Sequence, residues 1–153
     1  MIPKTVTRIR DHTADEVNER IRRQTEENIS MFGNAGPEVL NRRLAELDSE
    51  WDIERSLEAN AGSVILLGFF LGATANRKWF LLSAASAGFL LQHAVQGWCP
   101  PIVVFRRLGF RTAAEIDYER YALKALRGDF RDAPSGNHND RAEIDRLLQI
   151  VQR

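Results

Sequence analysis

Few side chains in this sequence are suited to chemistry, and four of them fall within eight residues, "QHAVQGWC": Gln92, His93, Gln96 and Cys99. Cys99 is the only cysteine of the chain, set between Trp98 and the pair Pro100–Pro101 and shortly before Arg106 and Arg107. A thiolate is a nucleophile, and nearby positive charge favours its formation. At this position it is a candidate functional thiol that would accept a sulfane sulfur as a persulfide. On a continuous helix Gln92, Gln96 and Cys99, at i, i+4 and i+7, share one face, with His93 on the neighbouring edge. Polar groups within a membrane helix usually face protein or a water-filled path, so this stripe would line a route for a small polar or anionic species. The plainer expectation is interhelical hydrogen bonding by Gln92, His93 and Gln96, with Cys99 a small residue before a turn. His93 and Cys99 lie six residues apart, about 240° around a helix axis, and so are not expected to converge on a metal. His12 and His138 read as surface histidines. A single cysteine excludes an internal disulfide, and no Cys/His spacing matches a zinc site. No nucleophile–base pair or phosphate loop is legible, so the expectation is no catalytic residue, no metal, no cofactor and no enzymatic activity.

These residues lie in an almost uncharged middle. The 153 residues carry 21 basic and 21 acidic side chains, unevenly spread. Residues 1–58 hold nine basic and thirteen acidic groups, residues 59–105 only Arg77 and Lys78, and residues 106–153 ten basic and eight acidic. With no net charge there is no global field to attract nucleic acid, and none is expected as a partner. The N-terminus lacks the apolar core of a signal peptide, so internal segments would have to take the chain into a membrane. Ala59 to Ala75 is free of charge, and so is Trp79 to Phe105. A membrane-spanning helix needs about 20 largely apolar residues. The first run reaches that length from about Leu57. The second reaches it from Trp79 to Trp98, before Pro100 and Pro101 break the helix. The short connection "ANRK" predicts an antiparallel transmembrane hairpin in contact with the lipid bilayer. Trp79 and Trp98, with Arg106 and Arg107, read as interface anchors. Arg42, Arg43, Arg55, Arg106, Arg107 and Arg111 flank the runs, against Arg77 and Lys78 at the tip, which predicts both termini in the cytoplasm. Gly68 and Gly72 in "GFFLG", and Ala84 and Gly88 in "AASAG", put small residues four apart, a spacing that lets helix backbones approach. They predict close helix packing and a homo-oligomer of hairpins.

The charged arms read as amphipathic helices. "TADE" (Thr13–Glu16) is a capping box ahead of Val17, Ile21, Ile29 and Phe32. After "GNAG", Pro37 opens a helix with the stripe Leu40, Leu44, Leu47 and Trp51, which is expected to run on through Leu57 as one long helix. Glu46, Glu50, Glu54 and Glu58 would then form a carboxylate stripe, read as a solvated face or one paired with arginines of the other arm. "TAAE" (Thr112–Glu115) is a second capping box, opening a helix with Ile116, Leu123 and Leu126 that Gly128 closes. "RDAPSGNHN" reads as a linker before a last helix with Ile144, Leu147, Leu148 and Val151 on one face. The resulting fold is all-α: a cytoplasmic helical arm over 1–56, a two-helix transmembrane hairpin domain over 57–110 and a second cytoplasmic arm over 111–153.

The segment Leu57–Phe110 resembles the YgaP-like inner-membrane domain, a two-helix bacterial module found alone or appended to rhodanese sulfurtransferases. The resemblance rests on the Asn60–Gly62 entry, the Trp79 start of the second helix, Gly88 within it, and the "GWCPP…RRLGF" exit, where Gly97, Cys99 and Pro100 match. It implies residence in the inner membrane, an association with sulfur metabolism and a possible sulfurtransferase partner. No rhodanese domain is present, so no sulfurtransferase loop is implied. Together these readings predict a small inner-membrane protein with a structural or assembly role. Sulfur handling through Cys99, by transport or persulfide relay, is the alternative.

Overall fold

The structure, a computed structural model, describes residues 4, 6–131, 133 and 141–152. It is all-α over these residues, with helices α1 (Arg8–Asp11), α2 (Asp15–Gly33), α3 (Pro37–Ser49), α4 (Ile53–Thr74), α5 (Phe80–Gln96), α6 (Pro100–Arg107), α7 (Ala113–Arg127) and α8 (Arg141–Gln152). A 3₁₀ turn, Arg77–Trp79, precedes α5. His138 and most of the expected linker at 131–139 lie outside the described residues.

Two helix starts differ from the sequence reading. Thr13 does not cap α2: its hydroxyl donates to the Ile9 carbonyl at 2.7 Å and accepts from Arg106 Nε at 3.2 Å. The continuous helix expected from Pro37 through the first apolar run is broken at residues 50–52. Asp52 is the cap of a new helix, its carboxylate accepting from the Arg55 N–H at 2.7 Å. The Ile53 N–H, an orphan at a helix start, donates to the Arg111 carbonyl at 2.8 Å. The break also dissolves the carboxylate stripe. Glu46 pairs with Arg43, Glu50 with Arg111 and Glu54 with Arg8.

The chain divides into two compact units, Met1–Gln24 with Glu50–Ile116, and Thr25–Ser49 with Asp117–Arg153. In the first, Ile9, Ile53, Leu57, Cys99 and Ile102 form the buried core, flanked by Phe105 and Phe110. Away from that core α4 and α5 pack on each other. Gly68 and Gly72 permit the approach: a Cβ on Gly68 would stand 2.7 Å from Ser83 Oγ and 3.1 Å from the Trp79 carbonyl, and one on Gly72 2.7 Å from the Phe80 ring. The Ser83 hydroxyl donates across to the Ile65 carbonyl at 2.9 Å, and Phe69 meets Phe80 edge-on at 5.7 Å. Ala84 and Gly88 do not face this seam; both are exposed, and a Cβ on Gly88 would meet nothing within 4 Å.

The second unit is built from the end of α2, α3, most of α7 and α8. Leu40, Leu44 and Leu47 of the expected α3 stripe are buried, as is Leu123 of α7, whereas Trp51, beyond the end of α3, is exposed. Glu119, fully buried, accepts from Arg43 Nε at 2.8 Å and Asn28 Nδ2 at 3.2 Å, while Arg120 donates to the Leu47 carbonyl at 2.8 Å. Among the described side chains of α8, Ile150 is buried, whereas Ile144, Leu148 and Val151 of the expected face are exposed.

Candidate functional site

The sequence around Cys99 folds as a helix end, a tight reversal and a helix start. α5 stops at Gln96 because Gly97 takes a left-handed conformation, φ 74°, its N–H donating to the His93 carbonyl at 2.7 Å. Glycine occupies that region without the Cβ penalty. It also leaves room for Arg8, whose Cβ would lie 2.6 Å from a Gly97 Cβ. Arg8 donates to the Ala94 carbonyl at 3.0 Å and to Glu54 at 2.6 Å, so α1 ties the end of α5 to the start of α4. Cys99 is the extended N-cap of α6, and Pro100 and Pro101 occupy its first turn, where a missing N–H costs nothing.

This reversal overturns the helical-wheel expectation. Cys99 does not continue the face of Gln92 and Gln96, because the helix ends before it. Gln92 is half-buried and Gln96 exposed, while His93 and Cys99 are buried. His93 and Cys99, expected to diverge, line the same cleft between α4, α5 and α6, together with Leu57, Asn60, Val64, Ser86, Phe89 and Leu90. The cleft encloses about 390 Å³, its open mouth included. His93 is 5 % exposed, and its Nδ1 and Nε2 are both buried without a hydrogen-bond partner. Cys99 is 3 % exposed, and burial pushes its thiol above the ordinary range, against the Ile102 N–H that favours the thiolate. The expected activation by Arg106 is absent, because that guanidinium is engaged elsewhere.

Arg106, expected as an interface anchor, is 1 % exposed. Its two terminal nitrogens donate to the two Glu115 oxygens at 2.7 and 2.9 Å, and further bonds reach Asn18 Oδ1 at 2.8 Å and the Phe110 carbonyl at 3.0 Å. The capping box at Thr112 forms as expected: Glu115 accepts from the Thr112 N–H at 2.8 Å and Thr112 Oγ1 from the Glu115 N–H at 3.2 Å. Burial pushes the Glu115 carboxyl up, but the Arg106 and Thr112 hydrogen bonds outweigh it and hold the group below the usual carboxylate range. The role of Arg106 is invisible in sequence, since Arg106 and Arg107 look alike there; Arg107 remains exposed. Trp79 and Trp98 are both partly exposed.

Among the described residues one helix, Ile53–Thr74, is long and apolar enough to cross a membrane, and no group of three or more His, Cys, Asp or Glu is placed to hold a metal ion. α4 exposes Leu66, Leu67, Phe69 and Phe70, and α5 exposes Leu81, Phe89 and Leu91. An apolar face of this extent is suited to lipid rather than to water. The described residues thus form an all-α fold with an exposed apolar surface on α4 and α5. Residues 52–115 match the family described as inner membrane protein YgaP-like, transmembrane domain. No curated protein and no solved structure matches the chain.

Proposed function

We propose that the protein is a membrane anchor and assembly module rather than an enzyme: α4 and α5 cross the inner membrane as a hairpin, and the remaining helices stay on the cytoplasmic side. The observation that carries this reading is the set of exposed apolar side chains on α4 and α5, two helices that pack on each other along a glycine-mediated seam. α4 has 22 residues, a length of about 33 Å. α5 has 17, and the 3₁₀ turn beginning at Arg77 extends the helical path toward the far interface. The exposed small residues Ala84 and Gly88 leave a face on which a second hairpin can pack closely, supporting a homo-oligomer. Topology is tested with an impermeant maleimide in a Cys99→Ser background. Lys78→Cys is expected to label in intact spheroplasts, and Arg10→Cys only after lysis. Identical labelling of the two sites would remove the hairpin, and the reverse pattern would invert it.

A second reading, sulfur handling through Cys99 with a sulfurtransferase partner, is favoured by the thiol lining a cleft. It requires deprotonation against burial. A persulfide on Cys99 after incubation with a sulfane-sulfur donor, absent in Cys99→Ala, is its expected signature; an unmodified thiol rejects it.

A further inference from the structure

We propose that the cleft between α4, α5 and α6 is a two-donor site for a soft monovalent cation, Cu(I), held between the Cys99 sulfur and one nitrogen of the His93 ring. This goes beyond the anchoring role and does not depend on it. The first observation is the His93 imidazole, buried with neither nitrogen partnered and placed in the cleft wall. A buried polar group left unsatisfied is costly, so an occupant that engages it is favoured. The second is the Cys99 thiol in the same wall, also buried.

The donor set selects the ion. Thiolate sulfur and imidazole nitrogen are soft and borderline donors, suited to Cu(I). Structural zinc takes four protein donors in a tetrahedron, and two are present here. Charge points the same way. The residues that line the cleft include no carboxylate and no amine, and Leu57, Val64, Phe89 and Leu90 make its wall apolar; outside the wall, His93 feels the opposed charges of Arg8 and of Glu54 and Glu58. A monovalent cation on one thiolate and one neutral imidazole is a neutral assembly; a divalent ion would leave an uncompensated charge in an apolar site, which is costly. Asn60 and Ser86 line the cleft as well. Binding replaces the S–H bond by an S–Cu bond and releases one proton to solvent; His93 donates a lone pair, and copper stays in the +1 state throughout.

The test is a titration of the reduced full chain in detergent with Cu(I), in competition with a chromophoric Cu(I) chelator. The expected result is one Cu(I) per chain, loss of binding in Cys99→Ser and weakening on the order of tenfold or more in His93→Leu. X-ray absorption is expected to give one sulfur and one nitrogen neighbour. Circular dichroism controls for folding, with Cys99→Ala and His93→Gln as second variants. Three outcomes overturn the proposal: binding unchanged in both His93 variants, which is a lone thiol; Zn(II) held as tightly as Cu(I); or no uptake against the chelator, which leaves the cleft to water.

Discussion

At the scale of single residues, Arg106 and Gly97 decide most. Arg106 is a buried cation whose neighbours all accept, and its partner Glu115 also caps α7. Removing one member of such a pair leaves an uncompensated buried charge, a loss of about 3–5 kcal/mol. Arg106→Leu is therefore expected to lower the thermal midpoint strongly in detergent, and Arg107→Leu much less; equal shifts would remove the special role of Arg106. The same pair sets a pH dependence. Glu115 has a folded-state pKa below its unfolded value, so its contribution is complete above the unfolded value of about 4.3 and is lost as pH falls through the folded one. Wild-type protein is expected to lose stability below pH about 4 more steeply than Glu115→Gln, and parallel curves would contradict the assignment. Gly97 and Gly109 both have positive φ, 74° and 94°, but only Gly97 has Arg8 against it. Each alanine incurs left-handed strain of about 1–2 kcal/mol. Gly97→Ala adds an overlap with Arg8 and is expected to unfold at the lower temperature of the two.

At the scale of elements, the two small-residue motifs separate. Gly68 and Gly72 serve the α4–α5 seam, where backbone and side chain come too close for a Cβ to fit. Gly68→Leu is expected to part the two helices and reduce helical content. Gly88→Leu, pointing into open space, is expected to leave the monomer folded and to weaken self-association, read as a shift in cross-linked species. If Gly68→Leu and Gly88→Leu behave alike, the seam is not where the contacts place it. The reversal between α5 and α6 is the other element-scale feature. It turns a helix that would have carried Cys99 to the far side back onto the cleft that holds His93.

For the whole molecule, the apolar surface of α4 and α5 governs where the protein resides. Leu66 is 71 % exposed and Phe70 62 % exposed, values that suit lipid contact. Full-length protein is expected to stay with the membrane through alkaline carbonate extraction. The double variant Leu66→Asp with Leu67→Asp, at an insertion cost of roughly 2.5–3.5 kcal/mol per residue, is expected to partition into the soluble fraction or be degraded. Retention of that variant would mean that α4 is not the principal anchor.

Periodicity and local chemistry are carried by near neighbours, and they were legible in the sequence. The charge-free run behind α4, Pro37 at the start of α3, the reciprocal Thr112–Glu115 cap and Gly128 at the end of α7 depend on residues at most a few positions apart. So does the "GWCPP" exit that carries the resemblance to the YgaP-like domain. Long-range partners are not written in local spacing. The break at Asp52 relies on the Arg111 carbonyl 58 residues later to receive the Ile53 N–H. The choice between Arg106 and Arg107 as the buried cation depends on Asn18 and Thr13, which come from a distant helix start. A helical wheel assumes a continuous helix, and so it set His93 and Cys99 apart. One left-handed glycine, packed under Arg8, ends α5 and brings them to the same cleft.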